Sequence, residues 1–245
     1  MPATIDVTTD DGVCPVHVFQ PPGTGPWPAV FIFMDAIGIR PALFEIGERL
    51  AAHGYYAALP DLYYRSGRYE PIDARRIFTD EAYRAQLRNH VGKLGPANTM
   101  RDIHHLLGFL ATQPAVAPGK VGATGYCMGG GIAITAAAHF PDRFAAIAAY
   151  HPGNLATDAP ESPHLLAPKI RAKVYVGAAS NDPTFPDDMK ARFVAALRDA
   201  GVALTIETYA ASHGWVPSDT PVHDAAAAER HWQTLFAHLD AALKH

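Results

Sequence analysis

At 245 residues, with 49% hydrophobic and 18% charged side chains, the chain can bury a large core and is not an intrinsically disordered polymer. A net charge of −4 without a basic stripe offers nothing to nucleic acid, and no apolar run approaches the roughly 20 residues of a membrane helix. Two cysteines, Cys14 and Cys127, are too few for a disulfide framework, and the first residues lack the basic and apolar regions of a signal peptide, so a cytoplasmic address is expected.

Short β-branched and aromatic runs alternate with longer amphipathic segments, which predicts an α/β fold with a mostly parallel central sheet and helices on both faces. Residues 5–9 and 13–19 flank the turn Asp10-Asp11-Gly12 and read as an N-terminal antiparallel hairpin. Residues 29–34 form a continuous apolar run between Pro28 and Asp35, as expected of a strand buried on both faces. Leu43, Ile46, Gly47 and Leu50 recur at helical spacing, and Gly54 stops that helix before a strand over 55–59. From 63 to 96 the pattern weakens, which predicts a lid-like excursion with short helices. Residues 100–112 read as a helix and 120–124 as a strand. Beyond them, 128–139, 187–200 and 225–243 read as helices, and 144–150, 173–177 and 203–209 as strands. No repeat or Gly/Ser linker interrupts the chain, so 1–245 is expected to be one domain.

Between the strand at 120–124 and the helix at 128–139 stands Gly125-Tyr126-Cys127-Met128-Gly129, a G-x-S-x-G turn with thiol in place of hydroxyl. Such a turn exposes the sulfur at the carboxyl edge of the sheet and aims the first N–H groups of a helix at it. A thiol nucleophile needs a base, and the base needs a carboxylate to orient it. Asp182 and His213 follow in that order, each in a loop leaving the carboxyl end of a predicted strand, so the three loops can converge on one edge. Cys14, in an outer strand without neighbouring glycines, reads as structural.

On Gly125-Tyr126-Cys127-Met128-Gly129-Gly130, Pro60-Asp61-Leu62-Tyr63, Asp182-Pro183 and His213-Gly214-Trp215, the chain resembles the dienelactone hydrolases, the cysteine-nucleophile branch of the α/β-hydrolase fold. The resemblance implies Cys127 as nucleophile, His213 as base and later acid, Asp182 as its orienting residue, and the backbone N–H groups of Met128 and Ala36 as oxyanion donors. It also implies that Asp35 stands where the family has a glutamate that takes the thiol proton. Members that cleave dienelactone hold the substrate carboxylate with an arginine four positions after the histidine, where this chain has Pro217.

Arg65 and Arg68 follow a strand end and could supply a substitute cation, while Tyr126 and Trp215 could wall the substrate pocket, with His151 and His164 as further lining candidates. The expected activity is hydrolysis of lactones or activated esters through a thioester. A general carboxylesterase or thioesterase with the same triad, or a silent binding protein on the same scaffold, remains open. No H-E-x-x-H or C-x-x-C spacing is present, so neither metal nor cofactor is expected. The expected partner is a small ester or lactone, and the chain is expected to be a monomer or weak homodimer.

Overall fold

The computed structural model describes residues 2–244. β1 (Ala3–Thr9) and β2 (Gly12–Phe19) pair antiparallel as a hairpin, and β2 pairs antiparallel with β4 (Tyr56–Pro60). β3 (Ala29–Phe33), β5 (Val121–Tyr126), β6 (Phe144–Tyr150), β7 (Lys173–Ala179) and β8 (Leu204–Tyr209) run parallel to β4 and to one another. The resulting order, β1-β2-β4-β3-β5-β6-β7-β8, makes one eight-stranded sheet in which the carboxyl ends from β3 to β8 share one edge. Every residue of β3 and β5 is buried, which is why those segments are continuously apolar or small rather than alternating.

Among the described residues six α-helices flank the sheet: α1 (Pro41–Ala52), α2 (Glu81–Leu94), α3 (Pro96–Ala111), α4 (Met128–His139), α5 (Asp187–Asp199) and α6 (Ala225–Leu243). Gly122 of β5 faces Leu239 and Leu243 of α6, whereas Gly125, three residues on, faces the start of α4, so these two helices cover opposite faces. Local chemistry sets the helix starts. Asp80 and Asp224 cap α2 and α6 by accepting from the N–H groups of Ala82 and Ala227, and α1 and α3 begin at Pro41 and Pro96, where the missing N–H costs no helical bond.

The excursion expected over 63–96 holds two 3-10 turns, Tyr64–Ser66 and Arg76–Phe78, followed by α2. Its weak sequence pattern has a physical source: α2 buries only His90 and Leu94. The helix expected from 100 begins at Pro96, four residues early. Among the described residues, no helix is long and apolar enough to cross a membrane.

Candidate active site

β5 delivers Cys127 to the carboxyl edge of the sheet, where the chain reverses into α4. Cys127 holds φ 53° and ψ −115°, a conformation that L side chains rarely adopt, and its N–H donates to the Tyr150 carbonyl of β6 at 3.1 Å. The flanking glycines permit the turn. A Cβ on Gly125 would lie 2.0 Å from the Gly129 carbonyl oxygen, and one on Gly129 would lie 2.1 Å from the Phe33 carbonyl oxygen of β3. Bare backbone at both positions lets α4 start against the ends of two strands, with Cys127 partly exposed.

The loops after β7 and β8 bring the expected acid and base to that sulfur. His213 Nδ1 lies 2.6 Å from Asp182 Oδ2, and the imidazole also contacts the Cys127 side chain. Burial disfavours a charged imidazole, yet the contacts with Asp182 and Cys127 outweigh it and raise His213 from an ordinary 6.5 to about 10. Burial likewise opposes the Asp182 carboxylate, but the hydrogen bonds from His213 and Thr184 prevail and hold it below the usual range. Thr184 braces the pair: its N–H and hydroxyl both donate to Asp182 Oδ1, at 2.8 and 2.7 Å. His151, at the end of β6, is fully buried and presents its ring edge-on to His213 with centroids 5.3 Å apart. Burial drives its pKa well down, so a neutral ring backs the charged one.

Asp35 leaves β3 at the same edge, but the arginine Arg40 takes both of its oxygens, at 2.7 and 2.8 Å. Arg40 also donates to Asp219, and the two carboxylates enclose a guanidinium that is almost wholly buried. The structure thus places Asp35, expected beside the thiol, in the Arg40 pair and outside the cavity lining. One methylene shorter than glutamate, it shapes the loop instead: Oδ1 also accepts from the Ile37 N–H at 3.0 Å. Tyr63 adds a second tie, donating to the Ala36 carbonyl at 2.7 Å. Ala36, Cys127, Met128 and His213 all line one cavity of about 500 Å³. Val91, Leu94, Met100 and Ile132 supply apolar wall; among the described residues Glu161 is the one carboxylate that lines it, and no lysine or arginine does.

Three further expectations are corrected. Arg65 is bound to Asp102 at 2.6 Å and to Asp11 at 2.7 Å, away from the cavity. Tyr126 is buried with its hydroxyl 3.0 Å from His231 Nε2, because the residue before the nucleophile points to the opposite face of β5. Trp215 stacks on Tyr209 in the core. Arg68 and His164 also lie outside the cavity wall, the latter bonded to Ser162. Sequence reasoning missed Thr184, two positions after the acid, and Arg40; a hydroxyl beside an expected orienting carboxylate is the one local signal that could have been read.

A family model described as the dienelactone hydrolase family matches residues 15–243. Proteins of Methylorubrum extorquens and Escherichia coli K12, both named "Putative carboxymethylenebutenolidase", are each 28% identical to the chain. The first alignment covers 94% of this chain and 78% of the relative, the second 92% and 81%. Among solved structures, a Klebsiella pneumoniae protein described in the same provisional terms as a dienelactone hydrolase superposes with a TM-score of 0.84 at 24% identity, covering 98% of both chains.

Proposed function

This chain belongs to the dienelactone hydrolase family, a family of hydrolases, and we propose that it cleaves carboxylic esters or lactones with Cys127 as nucleophile and a thioester as intermediate. The observation that carries this reading is the strained turn that holds Cys127 against His213 and the Asp182 carboxylate at one end of a cavity.

The chemistry follows from that order. His213 holds the proton and the Cys127 thiolate attacks the carbonyl carbon, forming a C–S bond while the carbonyl electrons move onto oxygen. The N–H groups of Met128 and Ala36 receive the oxyanion. As it collapses, the C–O bond to the leaving group breaks, and the imidazolium donates its proton to the departing oxygen. Neutral His213 then takes a proton from water, the hydroxide adds to the thioester, and the C–S bond breaks to release the acid and restore the thiolate–imidazolium pair. Asp182 keeps Nδ1 of His213 oriented and compensates its charge through both half-reactions. Asp35 and Tyr63 act as positioning residues that hold the Ala36 loop.

The first test is hydrolysis of p-nitrophenyl acetate by the native protein and by Cys127→Ala, with the variant expected to lose roughly three orders of magnitude or more in kcat. Iodoacetamide at neutral pH should label Cys127 and leave Cys14 untouched, since Cys14 is fully buried and burial pushes its thiol far up. Activity retained by Cys127→Ala would overturn the reading.

A further inference from the structure

We propose that the cavity selects an uncharged ester with an extended apolar acyl group and rejects carboxylated substrates; the proposal rests on the hydrolase reading above. The relatives' name specifies a lactone bearing a carboxymethylene group, and the lining here is unsuited to such a charge.

The geometry is directional. Met128, Gly131, Ile132 and Thr135 of α4 all line the cavity, and their spacing of three and four residues places them on one helix face that starts beside the sulfur. From Met128 to Thr135 that face runs about 10 Å at 1.5 Å per residue. Leu94 and Met100, flanking the α2–α3 junction, form the facing wall, and Val91 is among the few exposed large apolar side chains of the molecule. An acyl chain extending from the thioester carbonyl along this face would bury its methylenes against these side chains.

The charges point the same way. Three arginines that could have served this edge of the sheet are paired with carboxylates: Arg40 with Asp35 and Asp219, Arg65 with Asp102 and Asp11, and Arg192 with Asp158. The one cation in the wall, the His213 imidazolium, is held by Asp182. Glu161, exposed at the rim, adds a negative charge. A carboxylate carried into this space would lose water and meet no lysine or arginine in the lining.

Three p-nitrophenyl esters decide the matter: acetate, hexanoate, and the half-ester of adipate, which matches hexanoate in length but ends in a carboxylate. Each buried methylene contributes about fourfold, so kcat/KM for hexanoate should exceed that for acetate by about tenfold or more. The adipate half-ester should fall about a hundredfold below hexanoate. Val91→Arg, a change at an exposed position, should raise the adipate-to-hexanoate ratio by about tenfold. Cys127-dependent turnover with adipate equal to or above hexanoate, or acetate equal to or above hexanoate, overturns this proposal and leaves the hydrolase reading standing. A ratio unmoved by Val91→Arg overturns the placement of the acyl chain. Absence of Cys127-dependent turnover on all three esters overturns the hydrolase reading and this proposal with it.

Discussion

His213 binds its proton more tightly in the folded protein than in the unfolded chain, and this ties stability to pH. A group raised from 6.5 to about 10 contributes stability that is fully present below 6.5 and fades as pH climbs toward 10. Asp182, held below its ordinary 3.8, contributes above that value and loses its contribution as pH falls. The difference in unfolding free energy between the native protein and His213→Gln should therefore be greatest near pH 5.5 and shrink at 7.5 and again at 9.5; a difference flat across that range in urea titrations would remove the charged pair. Asp35 makes a separate case. Asp35→Ala leaves Arg40 charged and buried against Asp219 alone, so a loss of about 3–5 kcal/mol is expected. Urea denaturation checks that loss, and the pH dependence of Cys127 alkylation checks that the carboxylate does not take the thiol proton: its midpoint should stay where it is in the native protein. Cys127, Asp182 and His213 were legible in the sequence because each stands in a loop just beyond a recognisable strand. The partner of Asp35 was not, since nothing in Asp35-Ala36-Ile37-Gly38-Ile39-Arg40 says that the guanidinium folds back on the carboxylate.

The turn from β5 into α4 works only because neighbouring backbones approach closely. In Gly129→Ala the new Cβ would meet the Phe33 carbonyl oxygen at 2.1 Å and the Met34 carbonyl oxygen at 2.7 Å, backbone atoms at and just past the end of β3 that cannot swing aside. The start of α4 must then lift off β3, carrying Met128 and the sulfur with it. About 3 kcal/mol of stability is expected to be lost, with most of the proposed p-nitrophenyl acetate hydrolysis, in a comparison of denaturation midpoint and kcat. The glycine spacing announced this element. α2 was announced far less clearly, because a helix that buries two residues has almost no apolar stripe to detect, yet its carboxyl end and the start of α3 form one wall of the cavity.

Across the whole molecule, Arg65 joins three separate parts: the excursion after β4, the hairpin turn at Asp11, and α3 through Asp102, which is only 1% exposed at its side chain. Arg65→Ala leaves that carboxylate buried, with Tyr64 as its remaining donor. It should cost about 3 kcal/mol or more in stability while leaving KM for a neutral ester unchanged; a raised KM at unchanged stability would return Arg65 to the substrate. The sequence by itself determined the alternation of strands and helices, the thiol at a glycine-flanked turn, and the order of Asp182 and His213 in the strand-end loops after it, because each depends on residues close together in the chain. Only the tertiary structure decided which arginines were already paired, which aromatic rings lay in the core, and which apolar side chains faced the sulfur. Those outcomes depend on side chains as far apart in sequence as Arg40 and Asp219, which meet only after the sheet has closed the distance between them.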